Sequence, residues 1–327
     1  MLNPQAKLAS NIFKDHEMLP IRDGYGKGLL KLGETNDKVV VLCCDLSEST
    51  RSQWFQKKYP TRFIEMGIQE QNMSGVAAGL AQEGFIPFTS SYAVFSPGRA
   101  WDQIRVSICY NNVHVITAGG HTGVSVGPDG ATHQALEDIA IMRVLPNMTV
   151  LVPCDAIEAE KATIAAAGLT GPVYIRFARE KTPVVTTLKS PFKVGRAEVF
   201  VKGTDVSLIT SGPLVHHTLL AAKELLKRKI KAEVINLHTV KPLDTATLVR
   251  SVRKTKCVVS IEEHQVMAGV GGAIAEALAK HYPVPQEFVG MQNTFGESGA
   301  PEELLKKYHM TTADIVRAAL KVYKRAH

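Results

Sequence analysis

Short, continuous apolar runs alternate along the chain with segments whose apolar residues recur at helical spacing. Continuous apolar runs are typical of parallel strands that are covered on both faces, whereas half-exposed strands alternate apolar and polar positions. In the first half of the chain, such runs predict six strands: Val39–Asp45, Arg62–Met66, Phe85–Thr89, Val113–Ala118, Thr149–Pro153 and Val173–Phe177. The pattern therefore predicts an α/β fold with mostly parallel sheets that helices cover.

Two helices are legible between these strands. Ser96 and Pro97 predict the N-cap and first residue of a helix that continues to Ile108. Gly84 is placed to end the other helix. That helix is predicted from five apolar residues: Met73, Val76, Ala77, Leu80 and Ala81.

A polar, threonine-rich stretch without helical period lies between Lys181 and Arg196, bracketed by Pro183 and Pro191. Such a stretch is typical of a linker. Beyond it the alternation restarts, with strands predicted at Val206–Thr210, Ala232–Leu237, Val258–Ile261 and Phe288–Val289, and helices at Leu214–Arg228, Gly272–His281 and Thr312–Arg325. We therefore predict two α/β domains, residues 1–185 and 196–327, joined by a linker at 186–195.

Composition restricts the class of protein. With 45% hydrophobic and 21% charged residues, the chain has ample material for a core, which excludes disordered, collagen-like and coiled-coil architectures. No apolar run approaches the roughly 20 residues that span a bilayer. Because the N-terminal residues also show no signal or transit peptide, we expect a cytoplasmic protein without a membrane partner.

Charge and cysteine content narrow the chemistry further. The net charge is +7, but the basic residues are dispersed, which favours small anionic substrates or solubility over nucleic-acid binding. Five cysteines without a C-x-x-C pair predict buried, reduced thiols. We predict no metal site built by this chain.

Glu70 is the first candidate functional residue, in the segment Gly67-Ile-Gln-Glu-Gln-Asn-Met73. It lies where a predicted strand gives way to a predicted helix, at the sheet edge where ligands bind in parallel α/β folds. A glutamate at a helix start also has an ordinary structural role, because the helix dipole stabilises it. Spacing alone favours that ordinary role.

The glycine-rich loop from His121 to His133 is the second candidate, because it places two histidines and Asp129 in a polar segment after a predicted strand. Three interpretations compete: a metal site, a site for a polyhydroxylated substrate with proton transfer, and a turn with incidental histidines. The spacing matches no common zinc motif, so the residues favour substrate binding.

Three weaker features complete the survey. Tyr92 and Phe95 precede a predicted helix, where aromatic residues at this spacing are usually core. Gly269–Gly272 resembles a dinucleotide loop too weakly to carry an assignment. Glu262-Glu263-His264 is open to two interpretations, a ligand site and a solvated loop that forms an interface, of which the loop is favoured.

Three motifs together resemble the transketolase family of thiamine-diphosphate enzymes, in the family's order: Gly67-Ile-Gln-Glu-Gln, Gly127-Pro-Asp-Gly-Ala-Thr-His-Gln134 and Arg143-Val-Leu-Pro-Asn-Met148. The match resembles the family's C-terminal half, a pyrimidine-binding domain followed by the transketolase C-terminal domain. The Gly-Asp-Gly motif with which the family's N-terminal domain holds diphosphate and Mg²⁺ is absent from this sequence. The resemblance thus implies a subunit of a split transketolase. Its partner would be a separate N-terminal subunit that shares thiamine diphosphate and holds Mg²⁺, and the chain would self-dimerise within an α2β2 heterotetramer.

The resemblance also implies roles for residues near the cofactor. Glu70 matches the glutamate that hydrogen-bonds N1′ of the aminopyrimidine. Tyr92 and Phe95 match aromatic residues that pack on that ring, and Asp45 matches an aspartate near the cofactor. Gly98 stands where the family often has a further aromatic side chain.

A second group matches the family's substrate channel. His121, Asp129 and His133 match residues that hydrogen-bond the sugar and transfer protons. The positions that bind the sugar phosphate at the channel mouth are matched by Arg22, Ser49 and Arg179. A guanidinium suits phosphate because it forms paired, charge-assisted hydrogen bonds. Arg176 is an alternative to Arg179.

The implied reaction is reversible transfer of a two-carbon ketol unit from a ketose phosphate, such as xylulose 5-phosphate, to an aldose phosphate, such as ribose 5-phosphate. Three alternatives remain: a subunit resembling deoxyxylulose-phosphate synthase, one resembling the β subunit of 2-oxo acid dehydrogenases, and a non-catalytic assembly partner. His121 stands where the synthase family typically has arginine, which favours transketolase.

Overall fold

The computed structural model describes residues 2–326, whose strands form a seven-stranded sheet, a five-stranded sheet and a two-stranded ribbon. In chain order the strands are β1 Met18–Pro20, β2 Val39–Cys43, β3 Phe63–Glu65, β4 Ile86–Tyr92, β5 Ile116–Gly120, β6 Thr149–Leu151, β7 Val173–Arg176, β8 Lys181–Pro183, β9 Glu198–Val201, β10 Val206–Thr210, β11 Ala232–Asn236, β12 Thr239–Lys241, β13 Val258–Gln265 and β14 Gln286–Met291. The α/β prediction is confirmed.

Helices cover both sheets. They are α1 Ile21–Thr35, α2 Ser47–Thr50, α3 Gln53–Lys58, α4 Glu70–Gln82, α5 Trp101–Gln103, α6 Asp138–Arg143, α7 Ala156–Ala167, α8 Val215–Lys227, α9 Thr245–Thr255, α10 Val270–His281, α11 Pro301–Lys307 and α12 Thr312–Ala326. A π-helical segment, Ile104–Tyr110, continues α5.

The first sheet has the order β12-β6-β7-β5-β4-β2-β3 and is parallel except for the antiparallel edge strand β12. Its core explains the continuous apolar runs. Val39 and Val41 of β2 pack with α1 and α7, whereas Val40 and Leu42 pack with α4 on the other face. Because successive strand residues point to opposite faces, a sheet covered on both faces needs apolar residues at every position.

The second sheet has the order β14-β13-β10-β11-β9, with β9 antiparallel to β11 at one edge. Every strand predicted from the apolar runs is present in one of the two sheets; Val206–Thr210 keeps its predicted bounds, and the other strands have shifted ends. All five cysteines are buried and free, as predicted.

Two helices differ from the prediction, one in where it begins and one because it was not predicted. The prediction that Ser96 and Pro97 begin a helix is wrong, because residues 93–100 form turns and the helix begins at Trp101. Helix α1 was not predicted, because its glycines lower helix propensity. Gly24 is required by packing, since a Cβ there would collide with the carbonyl of Ala156 in α7.

The two sheets exchange short segments. Strand β12 follows β11 of the second sheet in the chain, yet it pairs with β6 of the first. In the opposite direction, the Asn3 N–H donates to the carbonyl of Phe200 at 2.8 Å, beside a bridge between Leu2 and Val201. The connecting residues 184–197 contain neither helix nor strand. Asp155 anchors this segment by accepting a hydrogen bond from the N–H of Thr186.

No helix among residues 2–326 combines the length and the apolarity needed to cross a membrane.

Candidate active site

The candidate residues of the first sheet gather at one edge because its neighbouring strands are parallel. Asp45 follows β2, Tyr92 ends β4, His121 follows β5, and Arg179 follows β7, while Glu70 begins α4 after β3. The carboxyl ends of parallel strands meet at the same edge, which is where α/β folds bind ligands.

Glu70 is buried at the first position of α4, with 1% of its surface exposed. Its Oε2 accepts a hydrogen bond from Nη1 of Arg99 at 2.9 Å, and Arg99 itself is half-exposed. Among residues 2–326, Arg99 is the one side chain that hydrogen-bonds this carboxylate, so Oε1 keeps its capacity to accept. The helix N-terminus also favours a negative charge here.

Four rings form a wall beside Glu70. Tyr92 stacks on His121 with ring centroids 3.7 Å apart, and Phe95 lies 6.0 Å from Tyr92 at 13° between planes. His133 meets Phe95 edge-on at 5.4 Å. The guanidinium of Arg99 covers Phe95 at 4.6 Å, so one arginine touches both the carboxylate and the wall.

Gly98 cannot carry a further aromatic ring in this backbone, because a Cβ there would collide with the carbonyl of Val94. The departure from the family pattern seen in the sequence is therefore a property of the local turn.

His121 is the most buried polar group of the wall, with 1% of its surface exposed and φ of +55°. Its Nδ1 is buried without a hydrogen-bond partner in the described part of the chain. Burial, and after it the charges of Arg22 and Arg179, lower the pKa of His121 to about 2. The imidazole is therefore neutral at neutral pH, with ring nitrogens that can donate or accept one hydrogen bond each.

Three arginines converge next to the wall. Arg22 donates from Nη1 to the backbone carbonyl of Ser49 at 2.9 Å, and Arg179 donates to the carbonyl of Val126 at 2.9 Å. Arg51, which no motif indicated, binds Asp23 at 2.7 Å. Burial and then Arg51 lower the pKa of Arg22, so these like charges lie close enough to disfavour one another. An anion placed among them would relieve that repulsion.

The acidic candidates are less central. Asp129 is exposed and lies 3.7 Å from Nη1 of Arg179. Within residues 2–326 no hydrogen bond joins Asp129 to His121 or to His133. Nδ1 of His133 instead lies 2.9 Å from Oγ1 of Thr132.

Asp45 is also exposed, with φ of +55°. Its N–H donates to Oε1 of Glu65 at 2.7 Å, and the same oxygen accepts from the Gly67 N–H at 3.0 Å. Glu65, another residue without a motif, thus ties the loop after β2 to the loop before Glu70.

Two interpretations from the sequence are corrected by burial. Arg176 does not reach the arginine cluster, because it is buried and its Nε donates to Asp138 at 2.8 Å. Glu262, Glu263 and His264 do not form a solvated loop, because all three are buried within β13. Val270 and Gly271 at the start of α10 donate their N–H groups to Glu262, so that helix start is already occupied by a carboxylate.

Residues 2–326 contain no cluster of three or more histidine, cysteine, aspartate or glutamate side chains that could hold a metal ion. The residues that do converge are a buried carboxylate, an aromatic and imidazole wall, and an arginine cluster. Together they suit an organic ring with a hydrogen-bonding nitrogen and a hydroxylated, anionic substrate.

Comparison with known proteins gives two family matches in series. Residues 17–184 match the transketolase pyrimidine-binding domain, and residues 195–315 match the transketolase C-terminal domain. The solved structure of a split-gene transketolase, an inactive β4 tetramer, superimposes with a TM-score of 0.89 at 46% identity, covering 94% of this chain and 100% of that one.

Two relatives show the range of chain lengths. The 6-deoxy-6-sulfo-D-fructose transketolase subunit SqwH of Clostridium sp. strain MSTE9 is 39% identical over 93% of this chain and 95% of its own. Transketolase of Homo sapiens is 37% identical over 94% of this chain, which spans only 49% of the human protein.

Proposed function

The chain belongs to the transketolase family, and from that membership we propose that it is the C-terminal subunit of a thiamine-diphosphate-dependent transketolase. The reaction is reversible transfer of a two-carbon ketol unit between sugar phosphates, with xylulose 5-phosphate and ribose 5-phosphate as the first pair to test. The observation that carries the proposal is the buried Glu70 carboxylate, which Arg99 links to the ring wall and whose Oε1 accepts no side-chain hydrogen bond among residues 2–326.

The residues present fit the cofactor's aminopyrimidine. Glu70 would accept a hydrogen bond from its N1′ and hold the shared proton there, while Tyr92 and Phe95 would pack on the ring. When bound, thiamine diphosphate supplies a nucleophilic carbon that takes up the ketol unit. Asp45, held near Glu70 through Glu65, would lie at the margin of this group.

Arg99 contacts both groups assigned to the cofactor, since it binds Glu70 and covers Phe95. In the complete enzyme we expect its guanidinium to move aside from the ring while remaining near the carboxylate. Its half-exposed position leaves room for that movement.

The substrate groups lie beside the cofactor groups. The buried, neutral His121 would hydrogen-bond a sugar hydroxyl or oxyanion through the nitrogen that lacks a partner. His133 would transfer protons at the same end of the sugar, and Asp129 would bind a hydroxyl. Arg22 and Arg179, with Ser49 of α2, would hold the phosphate through charge-assisted hydrogen bonds.

A separate N-terminal subunit would complete the site. It would bind the diphosphate and Mg²⁺. The split-gene transketolase that this chain resembles is inactive as a β4 tetramer, which supports a requirement for a second subunit. We propose an α2β2 assembly in the cytoplasm, where the five buried free thiols would stay reduced.

A sulfonated sugar is a second candidate substrate. One relative is a 6-deoxy-6-sulfo-D-fructose transketolase subunit, and a cluster of arginines also binds a sulfonate, because sulfonate and phosphate are both anions with oxygens in a tetrahedral arrangement. The side-chain contacts of Arg22, Arg51 and Arg179 do not distinguish the two anions.

The deciding experiment measures ketol transfer by this chain alone and by its mixture with a candidate N-terminal subunit, with thiamine diphosphate and Mg²⁺. Xylulose 5-phosphate, 6-deoxy-6-sulfofructose and pyruvate are compared as donors with a common aldose phosphate acceptor. Transfer from a ketose by the mixture alone supports the split transketolase. Turnover of pyruvate alone would favour the synthase-like alternative, and a confirmed complex without turnover of any donor would favour an assembly partner.

A further inference from the structure

The loop between β5 and α6 carries His121, Asp129 and His133, so its position decides whether these side chains converge. On the side of the first sheet it is held by backbone contacts. Thr122 forms a bridge with Ala135, and the Gly123 N–H donates to the Ala135 carbonyl at 2.9 Å. These contacts close the base of the loop and leave its middle, residues 124–130, to other partners.

The middle of the loop is held by Arg179 of the first half, which donates to the Val126 carbonyl, and from the second sheet. Glu263 of β13 is buried, and its Oε1 accepts the Ser125 N–H at 2.6 Å, which is a short, charge-assisted hydrogen bond. Gly123 has φ of +80°, and a Cβ there would collide with the same carboxylate. The backbone of the loop is therefore shaped to admit Glu263.

A second link runs the same way. Gln134, buried at the far end of the loop, donates from Nε2 to the carbonyl of Glu297 at 2.8 Å and to that of Val124 at 3.1 Å. Glu297 lies between β14 and α11, so both links join the loop to the second half of the chain. The links are polar and directional, unlike the apolar packing that fills the rest of the core.

We propose that Glu263 is a positioning residue for the substrate loop, and that the second domain contributes to catalysis by fixing that loop rather than by touching substrate. The inference rests on the proposed function for the role of the loop, but the contact itself can be tested without turnover.

The chain offers a matched control in the neighbouring residue. Glu262 is equally buried in the same strand, and its carboxylate also accepts backbone N–H groups, at 2.7 Å from Val270 and 2.8 Å from Gly271. Those donors belong to α10 and not to the loop. Removing each carboxylate in turn therefore separates loss of a buried charge from loss of the link to the loop.

The experiment measures amide hydrogen exchange in Glu263→Ala and Glu262→Ala, each assembled with the N-terminal subunit and also as the isolated chain. We expect exchange over residues 121–134 to accelerate roughly tenfold or more in Glu263→Ala, and only the start of α10 to accelerate in Glu262→Ala. Unchanged exchange over 121–134 in Glu263→Ala, or equal acceleration there in both variants, would overturn the proposal.

Glu263→Gln and Glu262→Gln keep the shape of both side chains and cover the case in which an alanine variant does not fold. Glu263→Gln retains an accepting oxygen without the charge, so exchange over the loop should be faster than in the unmodified protein and slower than in Glu263→Ala. Exchange over the loop that is as fast in Glu262→Gln as in Glu263→Gln contradicts a specific link.

Kinetics adds an independent readout. In Glu263→Gln we expect the KM for the donor sugar to rise more than kcat falls, because binding groups lose their positions while Glu70 is untouched. Glu262→Gln should leave KM unchanged. Unchanged KM and kcat in Glu263→Gln, with faster exchange over the loop, would overturn the positioning role. Absence of ketol transfer in the unmodified complex, with the exchange result intact, would instead overturn the proposed function alone.

Discussion

Glu70 and Glu262 are buried glutamates in different halves of the molecule, and they differ in how their oxygens are used: Glu70 begins α4, whereas Glu262 lies in β13 against the start of α10. Both oxygens of Glu262 accept N–H groups from the start of α10. Among residues 2–326, the Glu70 carboxylate accepts a side-chain hydrogen bond only from the half-exposed Arg99, whose guanidinium also covers Phe95. The Glu262 carboxylate is thus satisfied by the start of α10, whereas the Glu70 carboxylate keeps capacity to accept a hydrogen bond from a ligand.

The difference teaches that burial of a charge does not by itself mark a functional group. A buried carboxylate is costly unless hydrogen bonds satisfy it. Where the chain supplies all of these bonds, as for Glu262, the group serves the fold. Where it leaves accepting capacity at a sheet edge, as for Glu70, we expect a bound ligand to supply the remainder.

The strongest way to break this comparison is Glu70→Gln. We expect ketol transfer to fall at least about 10²-fold, because the amide cannot hold the shared proton. The fold should be preserved, since the amide oxygen still accepts from Arg99. The measurement is kcat of the assembled enzyme, with circular dichroism as the check on folding. A loss well below that size would show that the open carboxylate has no catalytic role.

The next effect concerns the arginine cluster. In Arg179→Lys we expect the KM for a ketose phosphate to rise roughly tenfold or more, because the paired hydrogen bonds of a guanidinium are lost. A ketose without its phosphate is the control, and its kinetics should hardly change. Equal effects on both sugars would mean that Arg179 only holds the Val126 carbonyl and the loop.

Substitution of Glu262, whose carboxylate is satisfied by α10, should lower stability and leave catalysis unchanged. We expect Glu262→Gln to lower the free energy of unfolding by about 1–3 kcal/mol, because its amide group donates where the native oxygen accepts. Urea denaturation measures this loss, and kcat per folded enzyme should stay unchanged. A catalytic loss like that of Glu70→Gln would erase the distinction between the two glutamates.

Glu262 also has a defined pH signature. Burial raises its pKa to about 7, so the native carboxyl keeps its proton at pH values where the unfolded chain has released it. Folding then takes up a proton between the ordinary glutamate value and about pH 7, and stability falls as pH rises through that window. We expect Glu262→Gln to flatten the dependence, as read from denaturation midpoints at a series of pH values.

The smallest expected effect is the absence of a titration. The pKa of His121 is lowered to about 2, so its ring signals in NMR should not shift between pH 8 and pH 5. Unfolded histidine takes up a proton near pH 6.5, so this buried neutral ring costs stability as pH falls below that value. His121→Asn should lose less stability over that range. A titration near pH 6.5 would show that the ring is not buried as described.

Much of the fold could be predicted from the sequence, because a strand that is buried on both faces of a parallel sheet appears as a continuous apolar run. The site was legible where a motif sits at a strand end, as for Glu70 and His121. The contacts of Arg51, Arg99 and Glu263 were not predicted, because each joins residues that are distant in sequence or that no motif marks.

Polar character also misled. Glu262 and Glu263 were assigned to solvent, since buried acidic residues are rare unless paired. Their partners are backbone N–H groups, which leave no trace in the side-chain sequence. The arrangement of the two halves was equally hidden, because pairing between distant segments cannot be inferred from local periodicity.

The segments exchanged between the sheets limit how modular this protein is. Strand β12 supplies the first sheet with its outer edge, and residues 2 and 3 lie along β9 of the second. A cut within 186–195 would leave two fragments that each retain a piece of the other. Neither half can be transplanted into a chimera at that boundary without uncovering an edge strand, so grafts between related proteins must carry both segments with them.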